Sequence, residues 1–249
     1  MPEKPYKKPE MILFDYGSTL LCEPGFDFLR GEVALFKYVK NNKHGLTPEQ
    51  VTDFSKGLYE KLGDSRELGI EMHEWQYQRF MYEYLGIELS IPCLEAEIVF
   101  WTNASDGMVM PNADKMIGYI NANGIRSGVI SNIIWSGAAL TDRINRLIPC
   151  NEFEFVIASS DYMFRKPEPM LFELAIKKAG LTADKVWFCG DNIKADIEGA
   201  SAVGIFPVWY ENLIMEDPWR ADNNGAVPGC DHLHIHDWNE LIEILEGFA

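Results

Sequence analysis

The sequence predicts an α/β fold, a doubly wound parallel sheet carrying an all-helical segment inserted after its first strand. Three observations carry this. Beyond about residue 108, short apolar runs alternate with helical stretches. A strand-like run, MILFD at 11–15, stands far upstream of that alternation. The stretch between them, 21–105, holds little that reads as strand.

In chain order, the apolar run at 11–15 is the first strand. FDFLRGEVALFKYVKNN, residues 26–42, then has the pattern of one amphipathic helix. Thr47-Pro48-Glu49-Gln50 supplies an N-cap, a proline at the first helical position and a capping-box glutamine. Two further helices are expected over 71–85 and 92–103. From there the sheet resumes, with strands at 127–131, 154–158, 186–190 and 205–209. Helices fall near 112–122, 136–147, 168–179, 194–203 and 238–247. Short β-rich runs separated by helices imply a parallel sheet covered on both faces. The expectation is therefore a Rossmann-like core of 1–20 and 106–249, with a helical cap of 21–105 placed to act as a lid.

Composition narrows the class. The chain has 249 residues, 47% hydrophobic and 24% charged, an ordinary globular profile. No apolar run approaches the roughly 18 residues of a membrane span, and MPEKPYKKPE has no apolar segment behind its lysines, which argues against a secretory leader. Five scattered cysteines without CxxC spacing suit reduced thiols, and cytoplasmic residence is the expectation. A net charge of −16 disfavours nucleic acid and anionic membranes as partners. Nothing in the sequence decides between monomer and homodimer.

Four short segments carry chemistry: FDYGST at 14–19, VISN at 129–132, RKPEP at 165–169 and GDNIKAD at 190–196. Asp15, Ser131 and Asp191 fall at strand ends, and Lys166 lies in the loop after another strand. In doubly wound sheets, ligands bind beyond the carboxyl ends of the strands, so these groups converge on one crevice. Singly, each has a plainer reading: Asp15-x-Gly-Ser-Thr as a turn, Lys166 as a solvated lysine, Asp196 as a charge favouring its helix N-terminus. It is their joint occurrence that points to an active site.

In order and spacing these segments resemble the haloacid dehalogenase (HAD) superfamily, over nearly the whole chain. The stretch KPEPMLFELAIKKAGLTADKVWFCGDNIKADIEGASAVG is similar to its phosphatase branch, and the insertion to its helical-cap subfamily. The resemblance implies Asp15 as a nucleophile forming an aspartyl-phosphate. It implies Ser131, Asn132 and Thr19 on the substrate side, and Lys166 as the neutralising cation. It also implies Mg²⁺ held by Asp15, the Gly17 carbonyl, Asp191 and Asp196, with a small phosphorylated molecule as substrate.

The departure is at Gly17, where this family's phosphatases carry a second aspartate that serves as general acid and base. Such catalysis is worth about 10²–10⁴ in rate. Four outcomes fit: a substrate with a good leaving group; a surrogate among Glu23, Asp27, His73 and Glu74; phosphonatase-like C–P chemistry using Lys37, Lys40, Lys43, Lys56 or Lys61; or binding without turnover. Two other features stand apart. His232, His234 and His236 alternate, which suits either a metal-binding face or a plain terminal strand before a helix capped by Asp237 and Glu240. Trp75, Tyr77, Phe80, Tyr82 and Tyr84 make the cap aromatic, with one or two rings expected to face the cleft.

Overall fold

The computed structural model describes residues 6–61, 66–211 and 217–248, so residues 1–5 of the N-terminal stretch lie outside it. Strand β1 (Met11–Phe14) is followed by a short strand β2 (Leu21–Cys22), and the chain then enters the insertion. It returns through β5 (Met108–Val109), which pairs antiparallel with β2, Leu21 opposite Val109 and Cys22 opposite Met108. The remaining sheet strands are β6 (Arg126–Ser131), β7 (Val156–Ala158), β8 (Val186–Gly190), β9 (Phe206–Tyr210) and β10 (Leu233–Ile235).

These form one six-stranded sheet in the order β10-β9-β8-β1-β6-β7, with every pairing parallel. The chain builds outward from β1 through β6 to β7, then returns to place β8 on the other side of β1. That reversal opens a crevice at the carboxyl ends of β1 and β8, the place where such sheets bind ligands. Alternation along β1 divides the core. Ile12 and Phe14 pack under the helices α5 (Ala113–Ala122), α6 (Gly137–Leu147) and α10 (Trp238–Glu246), whereas Met11 and Leu13 face α8 (Pro169–Ala179). A four-residue helix, α7 (Ser159–Tyr162), follows β7, and a π-helical turn, Ile193–Glu198, leads into α9 (Gly199–Ala202).

The insertion contains α1 (Phe28–Leu35), α2 (Pro48–Lys61), α3 (Glu74–Leu85) and α4 (Cys93–Ala104). The cap box expected at α2 is present: Thr47 N–H donates to Gln50 Oε1 at 2.9 Å and Gln50 N–H to Thr47 Oγ1 at 3.4 Å. Helix 26–42 is shorter than its sequence pattern. It ends at Leu35, passes a 3₁₀ turn at Phe36–Tyr38, and becomes strand β3 (Val39–Asn42), antiparallel to β4 (Ile87–Leu89). The reason is local. Asn42 bonds the Leu46 N–H and C=O through its amide, closing a turn in competition with helix. The insertion is thus helical with one small two-stranded ribbon.

His234 lies in β10 with His232 and His236 on either side of the strand, and Asp237 and Glu240 form the capping box of α10. All five cysteines are free thiols. Among the described residues, no helix is long and apolar enough to cross a membrane.

Candidate active site

Asp15 is the first residue beyond β1, and its N–H donates to the Cys189 carbonyl at 2.8 Å, extending the β1–β8 ladder by one bond. Lys166 reaches it from the loop before α8. The Lys166 Nζ lies 2.7 Å from Asp15 Oδ1 and 2.7 Å from Asp196 Oδ1, and donates to the Ile130 carbonyl at 2.8 Å. The lysine is only 3% exposed. Asn132, just past β6, holds this loop in place: its Oδ1 accepts from Lys166 N–H at 2.7 Å and its Nδ2 donates to Lys166 C=O at 2.8 Å. The Asn132 side chain therefore positions Lys166, and it also lines the cleft.

Asp191 and Asp196 complete the group. Carboxylate oxygens of Asp15, Asp191 and Asp196 lie within 4.8 Å of one another. Burial pushes Asp191 well above the usual carboxylate range, and the charges of Asp15 and Asp196 push further; the Ala221 N–H at 3.1 Å and Lys166 act against this. Asp196 rises to about 6, again chiefly by burial, with Lys166 opposing and Asp15 adding. Burial alone would lower the Lys166 ammonium, but Asp15 and Asp196 outweigh it and hold it above its ordinary value. One ammonium thus faces three carboxylates, Asp15 and Asp196 buried and Asp191 partly so. The site is short of positive charge, and its donors are hard oxygens, which a hard divalent cation fits.

Two glycines permit this arrangement. A Cβ on Gly190 would come 2.4 Å from Asp196 Oδ2, so only glycine lets that carboxylate lie against the end of β8. Gly17 is the opposite case, since an added Cβ there would meet nothing within 4 Å. Ser131 ends β6 and lines the cleft beside Asp15 and Gly17. Thr19 does not. It is fully buried beneath the loop, and its hydroxyl has no partner among the described residues; its carbonyl accepts from Trp238 Nε1 at 3.1 Å.

The surrogates proposed for Gly17 divide. Glu23 is locked in a buried ion pair with Arg143 at 2.5 Å, and accepts from the Tyr16 hydroxyl at 2.5 Å. Asp27 is the N-cap of α1. His73 caps α3 through Nδ1 and reaches Asp161 through Nε2 at 3.2 Å. Glu74 is buried at the start of α3 and lines the cap side of the cleft. The five cap lysines are all exposed, and none lines the cleft, which removes the support for C–P chemistry through a lysine adduct.

The cleft is a cavity of about 320 Å³ that runs from the carboxylates into the insertion. Tyr77 and Tyr82 line it, whereas Phe80 and Tyr84 stack on each other in the open, their centroids 5.7 Å apart. Residues that sequence reasoning passed over also wall it. Arg66 and Arg165 share Glu71, which accepts in addition from Ser159 Oγ at 3.1 Å. Glu32 sits on the inner face of α1. Its position, with Phe28 and Leu35 at i−4 and i+3, is the one signal that could have placed it inward.

At the far edge of the sheet, His234 and His236 gather with Glu211 rather than with His232, their ligand atoms within 4.8 Å of one another. His232 Nδ1 is instead turned to the Cys230 carbonyl at 2.8 Å, and His234 stacks on Trp209 at 3.9 Å.

Comparison with known proteins finds likeness of sequence and of fold. The sequence model for haloacid dehalogenase-like hydrolases matches residues 97–209. A glyceraldehyde 3-phosphate phosphatase of Pyrococcus abyssi is 25% identical over 205 residues, 81% of either chain. A ribulose-1,5-bisphosphate 5-phosphatase of Halopiger xanaduensis is 22% identical over 94% of this chain and 98% of its own. Among solved structures, a HAD phosphatase from Thermococcus onnurineus superposes with a TM-score of 0.61 at 20% identity, covering 95% of this chain and 98% of that one.

Proposed function

The chain belongs to the haloacid dehalogenase superfamily of hydrolases, and from that membership we propose that it is a Mg²⁺-dependent phosphatase of a small phosphorylated molecule. The observation that carries the reading is the meeting of Asp15, Lys166, Asp191 and Asp196 in the wall of one cleft. Phosphoryl transfer asks for a nucleophile, positive charge and an enclosed chamber, and these residues supply the first two.

In this reading, an Asp15 carboxylate oxygen attacks phosphorus and the bond to the leaving oxygen breaks. Water then attacks the aspartyl-phosphate, releasing inorganic phosphate and restoring Asp15. Lys166 orients Asp15 through its hydrogen bond, and its ammonium offsets charge on the transferring group. Mg²⁺, held by Asp15, Asp191, Asp196 and the Gly17 carbonyl, would lower the repulsion between carboxylate and phosphate. Ser131 and main-chain N–H groups would receive the phosphoryl oxygens. The core spans 1–20 and 106–249, and the cap of 21–105 encloses the organic part and excludes water.

With Gly17 in place of a proton donor, Glu23, Asp27 and His73 committed elsewhere and Glu74 on the cap side of the cleft, the reading favours a leaving group that departs with little help. Hydrolysis of p-nitrophenyl phosphate, whose leaving group scarcely needs a proton, is the test. Turnover should require both Mg²⁺ and Asp15. Activity that survives EDTA or Asp15→Asn would refute this assignment.

A further inference from the structure

Two buried acids stand in the cap wall, and the Arg66 charge acts on one of them, Glu74, only from a distance. Glu32 is 2% exposed and Glu74 6%. Tyr82 OH bonds both oxygens of Glu32, at 3.0 and 3.1 Å, and Gln78 bonds Glu74. Neither acid forms an ion pair among the described residues. The cations of the neighbourhood are already engaged, Arg66 and Arg165 with Glu71 and Arg143 with Glu23.

Both acids line the same cavity that opens onto Asp15. Around them the wall is aromatic, with the rings of Phe28, Tyr77 and Tyr82. Trp101 and Tyr59 line it too and already hold cations, Arg143 over Trp101 at 4.6 Å and Arg66 over Tyr59 at 4.4 Å. A buried carboxyl is disfavoured without a counter-charge, and two facing one enclosed space are more so. Ring faces together with uncompensated acids are what attract an organic cation, and such a guest would relieve the strain on both.

We propose that this chamber binds an organic ammonium group, which makes the substrate a phosphate monoester of an amino alcohol; the phosphate end of this assignment rests on the phosphatase reading above. The chemistry at the other end agrees. An ammonium close to the ester oxygen withdraws electrons from it, so the oxygen leaves more readily as the P–O bond breaks and takes its proton from the water that hydrolyses the aspartyl-phosphate. A substrate of this class has less need of the acid that Gly17 cannot provide.

The test is calorimetric titration of the whole protein with choline and with ethanolamine. Each is set against its uncharged counterpart of similar shape, 3,3-dimethylbutanol and 1-propanol. At least one ammonium should bind about tenfold more tightly than its neutral counterpart. Glu74→Gln, a near-isosteric change, should erase that preference with the circular dichroism spectrum unchanged, and Asp15→Asn should keep it. Equal affinities for charged and neutral partners, or binding of neither, would overturn the assignment on wild-type protein alone. Ammonium binding without turnover of phosphocholine, phosphoethanolamine or p-nitrophenyl phosphate would sink the phosphatase reading and leave the chamber's assignment standing.

Discussion

Lys166 and Asp15 lie 151 positions apart in the chain and meet at 2.7 Å in a site that buries both. The lysine is the only cation within bonding distance of any of the three clustered carboxylates among the described residues. Its contribution is therefore not shared with a neighbour. Lys166→Met should lower kcat for p-nitrophenyl phosphate by about 10²–10³, and Lys166→Arg should not restore it, because a planar guanidinium does not fit a buried point-charge site. Steady-state rates on variants of unchanged circular dichroism check this; a loss under threefold would contradict it.

Gly17 offers a gain of function. Its Cβ position is open, and its backbone is not among the left-handed glycines. Gly17→Asp should accelerate hydrolysis of simple alkyl phosphates by about tenfold or more, with much less effect on p-nitrophenyl phosphate. The ratio of the two rates is the readout. An unchanged ratio would mean that proton transfer to the leaving oxygen does not limit turnover.

Gly190 offers the converse. A methyl there would collide with Asp196, so Gly190→Ala should displace that carboxylate while leaving β8 in the sheet. The Mg²⁺ concentration for half-maximal activity should rise at least about tenfold, the effect expected when a supporting contact of a metal site is lost. The thermal shift produced by Mg²⁺ should shrink in parallel. Wild-type metal dependence in this variant would count against Asp196 as a ligand.

Much of the site was legible because it is built from strand ends. Apolar runs of five residues mark where β1, β6 and β8 stop, and polar residues that follow such runs must lie at the sheet's rim. The cap interior was harder to read. Glu32 and Glu74 sit in amphipathic helices among other charges, and an acid facing inward has the same letter as one facing water. The Arg143–Glu23 pair joins residues 120 apart, which no local pattern could link. Residues 39–42 looked helical by periodicity, yet the Asn42 side-chain turn prevailed and left them extended against β4. Asn132 and Thr19 fell in the right motifs, but only packing shows that one holds the lysine loop and the other lies beneath the floor.

Glu32 gives a pH signature. Burial raises it from an ordinary 4.5 to about 7, with the Tyr82 hydrogen bond opposing. A carboxyl whose folded value lies above its unfolded one favours folding while protonated, and that benefit fades as pH rises between the two values. Wild-type stability should therefore fall from about pH 4.5 to about pH 7 by at most about 3 kcal/mol from this group. Glu32→Gln should remove this part of the decline and be the more stable protein at pH 8. Urea melts at pH 5 and pH 8 decide it. Equal slopes in both proteins would show that Glu32 ionises freely.

The β2–β5 clasp has a consequence for how this protein could change over time. The two strands leading into and out of the insertion are hydrogen-bonded neighbours, Leu21 beside Val109 and Cys22 beside Met108. The core therefore closes on a two-rung ribbon whatever lies beyond it. A segment of different length or sequence can be spliced at that ribbon without altering the register of the main sheet. Under the proposed function, chemistry and selectivity would then be separately heritable: the sheet's rim would keep the reaction, and exchange of the segment beyond the clasp would reset what is delivered to it.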